Sequence, residues 1–228
     1  MRWKVFAGAL ATVVVGGLVV FGTIMLMRSR EIHDPLLKAQ VHGTVTTSKG
    51  TMPHAFLSLD TYPDSMAGEH GPNGGPHPTW VSYGPSTNLW APAHSMVTVT
   101  VHQYDSGDTL NNPWFATVRG TVGGVEIYNG RAVNHISWHL VGHTFTLRGI
   151  PSTAQTNLFV SVPLGLVPDS RKALSNGYPA PQVIKFSFMT GSPGKYQWNC
   201  EFPCGISYQG FGGPMSTLGY MSGTLTVG

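Results

Sequence analysis

The sequence predicts an all-β domain of the sandwich or barrel kind, preceded by one hydrophobic helix. Short runs of alternating apolar and polar residues recur along the 228-residue chain, and no stretch after residue 31 sustains a helical period. Turn-forming residues separate these runs, with 29 Gly and 17 Pro in the chain. One uncharged apolar run stands near the N-terminus. These three observations set the fold class.

The apolar run covers residues 5–27, and at the helical rise it extends about 34 Å, enough to cross a bilayer core. It is longer than the apolar part of a signal peptide, and no small-residue cleavage site follows it. The run therefore favours a single-pass anchor in the cell membrane over a cleaved signal. We divide the chain into an anchor, residues 1–30, and a β domain, residues 31–228. Basic residues flank both ends of the run, so the positive-inside rule does not orient it.

The clearest strand signal is the segment "VTVTVHQY", in which three valines alternate with polar residues (Val97, Val99, Val101). Similar runs are "AFLSL", "WFATV", "HTFTLRG", "NLFVSV", "VIKFSF", "KYQWNC" and "GTLTV". Turn sequences such as "DSGD", "TVGG" and "GSPGK" separate them. Many short strands between such turns predict an antiparallel sandwich or barrel.

The composition excludes several classes of protein. A hydrophobic share of 41% is enough to build a core, so the chain is not disordered. A formal net charge of +3 without a basic cluster predicts no nucleic-acid partner. No paired-carboxylate motif and no Gly-x-Ser-x-Gly motif is present, so we do not expect an independent hydrolase.

Residues suited to a metal are concentrated near the C-terminus. Cys200 and Cys204 stand four residues apart, a spacing at which a tight loop brings both sulfurs to one point. His143 is the nearest single imidazole candidate, and Met215 and Met221 are the candidate thioethers. Thiolate, imidazole and a weak thioether together are ligands that suit copper.

At these residues the sequence resembles the cupredoxin family, and in particular the copper-bearing domain of cytochrome c oxidase subunit II. The resemblance rests on "GHTF", "CEFPCG" and "YMSGTLTV", and it covers roughly residues 95–228 plus the N-terminal run. It implies a cupredoxin-like Greek-key β-sandwich after a single transmembrane helix. It also implies copper as cofactor, with His143, Cys200, Cys204 and Met221 as its ligands.

The resemblance implies a function in respiratory electron transfer. The chain would be a membrane-anchored, non-catalytic subunit of a haem–copper terminal oxidase, either a cytochrome c oxidase or a quinol oxidase. Its β domain would be extracytoplasmic, its partner a haem-bearing oxidase subunit I, and its electron source a soluble donor or quinol. Two other functions stay open: a copper-free scaffold subunit of a membrane complex, and a free-standing anchored copper electron carrier.

The sequence departs from the family pattern in one ligand. The family motif includes a second His after the cysteines, whereas every His of this chain precedes Cys200. The candidate substitutes are His135, His139 and Tyr208. The alternative to copper is a disulfide between Cys200 and Cys204, which an oxidising compartment and a tight loop would both allow. Copper occupancy is therefore left open by the sequence.

Overall fold

The computed structural model describes residues 2–29, 34–48, 50–66, 80–107, 112–149, 158–168, 170–175, 178–205 and 212–228. The chain divides into two compact units, Met1–His33 and Asp34–Gly228. The predicted boundary between a helical segment and a β domain is close to this division.

The first unit contains helix α1, Arg2–Ser29. The large apolar side chains described along it, from Leu10 to Leu26, are exposed. Across the described part of the chain, no helix combines the length and the apolar character needed to cross a membrane. The predicted helix is confirmed, but its assignment as a transmembrane anchor is not supported, because the described residues do not supply a long enough apolar span.

The second unit contains two β-sheets. In spatial order, the first consists of β1 (Leu37–Lys38), β5 (Asn88–Ala91), β13 (Ser222–Val227), β12 (Gly194–Asn199), β9 (Val141–Gly149) and β10 (Phe159–Gly165). The second consists of β2 (Gln40–Thr47), β3 (Gly50–Tyr62), β6 (Met96–Gln103), β11 (Gln182–Met189), β7 (Glu126–Tyr128) and β8 (Arg131–Val133), with β4 (Ser82–Gly84) paired to β3. The short helices are 3₁₀ turns at Pro113–Ala116, Val122–Gly124 and Trp138–Leu140, and α2 at Gly213–Ser216.

The two sheets pack face to face around one core. In β6 the three valines of the alternating pattern are fully buried, as that pattern predicts (Val97, Val99, Val101). Phe145 of the first sheet meets Phe186 of the second, with ring centroids 5.3 Å apart. Trp198 is fully buried and stacks on Phe145 at 4.9 Å. The predicted β-sandwich is therefore confirmed.

Two expectations about the strands need correction. The sheets are mixed rather than purely antiparallel, because β3 runs parallel to β6 and β5 runs parallel to β13. A long connection, residues 63–95, joins β3 to β6, and a parallel pair requires such a crossover.

The second correction concerns "WFATV", which forms a 3₁₀ turn over most of its length instead of a strand. Pro113 fixes the backbone at the first position of the turn, and the Asn112 side chain accepts a hydrogen bond from the Trp114 N–H. Local capping therefore overrides the strand pattern here.

Candidate metal centre

Strand pairing brings the histidine and the first cysteine together. His143 lies near the start of β9, and Cys200 directly follows β12. These strands are antiparallel neighbours, with Asn199 opposite Thr146. Cys204 comes back towards the same point because its N–H donates to the Phe202 carbonyl at 2.8 Å, which closes a tight turn.

The three predicted ligands form one buried cluster. His143 Nδ1 lies 3.2 Å from Cys204 Sγ and 3.7 Å from Cys200 Sγ, and the two sulfurs are 3.5 Å apart. The donor atoms all lie within 4.8 Å of one another, and the residues are at most 7% exposed. No bond joins the two sulfurs, so this structure does not contain the alternative disulfide.

Backbone groups stabilise the Cys200 sulfur. The N–H groups of Thr144 and Phe202 each donate to Cys200 Sγ at 3.4 Å. The Thr144 hydroxyl in turn accepts from the Glu201 N–H at 2.9 Å, which joins the cysteine loop to β9. Donors aimed at a sulfur favour its ionised form, the form that binds metal.

A carboxylate holds the other side of the imidazole. Asp105 Oδ2 lies 2.6 Å from His143 Nε2, and both residues are buried. This hydrogen bond fixes the ring and leaves Nδ1 facing the two sulfurs, an arrangement found around metal-binding histidines. Sequence analysis missed Asp105. The signal it carries is a carboxylate two residues after the buried strand β6, where a buried charge requires a partner.

The pKa values in the cluster are strongly shifted. Burial alone would lower the pKa of His143, but its hydrogen bonds to Asp105 and Cys200 outweigh burial and raise it to about 10. Burial alone would raise the pKa of Cys200, but hydrogen bonds from Cys204 and His143 hold it well below its ordinary value. Both shifts favour an imidazolium beside a thiolate, so a metal cation that binds Nδ1 competes with a proton there.

The two candidate methionines reach the cluster from different elements. Met215 lies in α2, and its Sδ accepts a hydrogen bond from the Cys204 N–H at 3.1 Å. Met221 is fully buried, and its carbonyl accepts from the Cys200 N–H at 2.8 Å. Met221 thus contacts Cys200 through its backbone carbonyl, and Met215 contacts Cys204 through its sulfur.

Two of the three candidate substitutes for the second histidine, His135 and His139, are not brought to this point. Among the described residues, the cluster of metal-ligating groups consists of His143, Cys200 and Cys204. His135 is exposed, with Nδ1 2.7 Å from Asn134 Oδ1. His139 is exposed and stacks on Trp138. Tyr208 lies outside the described residues.

Comparison with known proteins gives distant structural similarity. No family model and no curated protein sequence matches the chain. Among solved structures, auracyanin B is 14% identical over 82% of this chain and 96% of its own, with a TM-score of 0.34. A multicopper oxidase is 11% identical over 77% of this chain and 44% of its own, with a TM-score of 0.29.

Proposed function

We propose that this chain carries a copper-binding electron-transfer domain of the cupredoxin type. The observation that supports it is the buried cluster of one imidazole and two thiols, with donor atoms within 4.8 Å of one another. Soft thiolates together with an imidazole select copper over hard cations such as magnesium or calcium. The residues present therefore fit the metal that the sequence resemblance implies.

In this proposal each residue has a separate task. Cys200 and Cys204 supply thiolates, and His143 supplies Nδ1. Asp105 keeps the imidazole in the orientation that exposes Nδ1, through its 2.6 Å bond to Nε2. Bound copper supplies one-electron redox chemistry.

The fold favours electron transfer over catalysis at such a site. His143 lies on β9 and the two cysteines follow its partner strand β12, all packed into the core, and close-packed interiors resist displacement. Burial of all three ligands also keeps bulk solvent from the site. Both features suit a metal that changes charge without binding a substrate.

We further propose the narrower role of a subunit II-type component of a haem–copper terminal oxidase in the respiratory chain. In that role the domain is extracytoplasmic, takes electrons from a soluble donor or quinol and passes them to a haem-bearing partner subunit. The support is the motif resemblance in "GHTF" and "CEFPCG". Replacing Cys200 by Ser tests this role in the native membranes. If the substitution leaves oxidase turnover unchanged, the cysteines are not on the electron path.

Copper titration of the full chain tests the broader proposal. We expect stoichiometric binding in the native chain, with a thiolate-to-copper charge-transfer band that lies in the ultraviolet for Cu(I) and in the visible for Cu(II). Cys200→Ser and Cys204→Ser should each lose the band, whereas His135→Ala, which changes an exposed imidazole, should keep it. Absence of copper binding by the native chain, or full binding by the cysteine variants, would contradict the proposal and favour a copper-free scaffold.

A further inference from the structure

We propose that Met215 is the ligand that takes the place of the missing second imidazole, so that the site holds copper preferentially as Cu(I). The inference rests on the proposed copper function and adds to it the identity of the fourth donor and the favoured oxidation state. The sequence resemblance instead points to Met221 as the thioether ligand. Substitution of each methionine in turn therefore distinguishes the two assignments by its effect on copper affinity.

The first argument is the position of the sulfur. Met215 Sδ accepts from the Cys204 N–H at 3.1 Å. The nitrogen and the Sγ of one cysteine are separated by three covalent bonds, so the thioether lies within about 7 Å of Cys204 Sγ. The Met215 side chain is unbranched and flexible, so a change of rotamer can turn its sulfur towards a metal bound at the cysteines.

The second argument is that the backbone carrying Met215 is fixed against the site. The Gly212 N–H donates to the Cys204 carbonyl at 2.7 Å, just before α2 begins. After α2, the Met221 N–H donates to the Pro214 carbonyl at 2.9 Å. Met215 is also partly buried against the core. Its sulfur is therefore held beside the cysteine loop by the fold.

The third argument is the number and type of donors. Asp105 occupies His143 Nε2, so the histidine offers the cluster one nitrogen. With Cys200, Cys204 and Met215, the set becomes one imidazole nitrogen, two thiolates and one thioether. Sulfur ligands of this kind select Cu(I), whereas a second imidazole in place of the thioether would support Cu(II) equally well.

The test is Cu(I) affinity, measured on the full chain by competition with a chromophoric Cu(I) chelator. We expect Met215→Leu, which preserves side-chain volume, to weaken Cu(I) binding at least tenfold. The matched control is Met221→Leu, which we expect to change the affinity less than threefold. Thermal unfolding of each metal-free variant shows whether its fold is intact.

A second variant separates ligation from packing. Met215→His should restore metal binding and let the site retain Cu(II) under air, with an EPR signal that the native chain lacks. If Met215→Leu binds Cu(I) as tightly as the native chain, or Met221→Leu alone loses it, the inference is wrong while the proposed function stands. If the native chain binds no copper, the proposed function itself fails.

Discussion

Asp105 illustrates how one residue sets the chemistry of another. Its carboxylate is 2.6 Å from His143 Nε2, and the pKa of His143 is raised to about 10 although burial alone would lower it. A proton on His143 competes with a metal for Nδ1. Copper affinity should therefore rise with pH between about 7 and 10, where the imidazolium loses its proton.

Replacing Asp105 by Asn should weaken the rise of copper affinity with pH. The amide is uncharged, so we expect the pKa of His143 to fall and the rise of copper affinity with pH to flatten. Above about pH 10, where the proton no longer competes in either protein, copper affinity should fall about 10- to 100-fold through loss of the orienting carboxylate. NMR titration of the His143 ring measures its pKa, and copper binding at several pH values measures the affinity. The matched control is Asp60→Asn, which alters a partly exposed Asp–His pair with His102 at 3.1 Å. An unchanged pH dependence of copper affinity in Asp105→Asn would contradict the assigned role.

Glu126 is a buried carboxyl group far more costly to ionise than a surface one. It is 0% exposed, neither side-chain oxygen has a hydrogen-bond partner among the described residues, and burial raises its pKa to about 8. The folded state therefore keeps a proton that the unfolded chain releases near pH 4.5. Stability is lost as pH rises from about 4.5 to 8, because ionisation favours the unfolded chain.

Glu126→Gln should remove this loss, because the amide does not ionise. A pKa raised from 4.5 to about 8 corresponds to about 5 kcal/mol in the free energy of unfolding above pH 8, and to little at pH 4. Denaturant unfolding at pH 5 and pH 9 measures it. Glu201→Gln, which breaks the exposed ion pair with Arg148, is the control and should not stabilise the protein at either pH. Equal effects of Glu126→Gln at both pH values would rule out ionisation as the cause.

At the scale of elements, the contact between β5 and β13 depends on the absence of a side chain at Gly223. A Cβ added there would lie 2.0 Å from the Thr87 carbonyl oxygen. That oxygen accepts hydrogen bonds from the Thr224 N–H at 3.1 Å and from the Trp198 Nε1–H at 3.1 Å. Any added atom must therefore push the strands apart and break buried hydrogen bonds.

Gly223→Ala should lower the free energy of unfolding by about 2 to 3 kcal/mol, as overpacking usually does. Urea unfolding monitored by the fluorescence of Trp198 and the other tryptophans measures the loss. Gly191→Ala is the matched control, since a Cβ there has no atom within 4 Å. A Gly223→Ala variant as stable as the control would show that the two strands can separate without cost.

The elements also show what the sequence could and could not predict. The alternation in "VTVTVHQY" predicted β6 and its buried face, because one face of that strand lies in the core. The same reasoning failed for "WFATV", because Pro113 and the Asn112 cap act locally against the strand. The parallel pairing of β3 with β6 could not be predicted, because it depends on a long crossover whose path the alternation of apolar and polar residues does not encode.

The candidate site shows the same difference between local patterns, which the sequence reveals, and long-range contacts, which it does not. His143, Cys200 and Cys204 were identified because their local sequence motifs carry the chemistry. Asp105 was missed because its contact with His143 spans 38 positions of sequence and arises only when the strands assemble. The thioether assignment was ambiguous because two methionines follow the cysteines, and the contact of the Met215 sulfur with the Cys204 N–H arises only when the loop folds.

For the whole molecule, copper should stabilise the fold. The cluster exists only in the folded state, so metal that binds there shifts the unfolding equilibrium by mass action. At free copper 100 times the dissociation constant the gain is about 2.7 kcal/mol. For a domain of this size it raises the melting temperature by roughly 5 to 10 °C. A scan with and without copper measures this, and a chelator should reverse it. Cys200→Ser should show no rise; a rise equal to that of the native chain would place the copper elsewhere.

The most direct test of the central claim is the location of copper in the native chain. Anomalous diffraction at the copper absorption edge, from crystals grown with the metal, gives that location without reference to spectra or turnover. We predict an anomalous peak in bonding contact with His143 Nδ1 and the sulfurs of Cys200 and Cys204. A peak confined to surface imidazoles such as His135 and His139, with the buried cluster free of copper, would contradict the account.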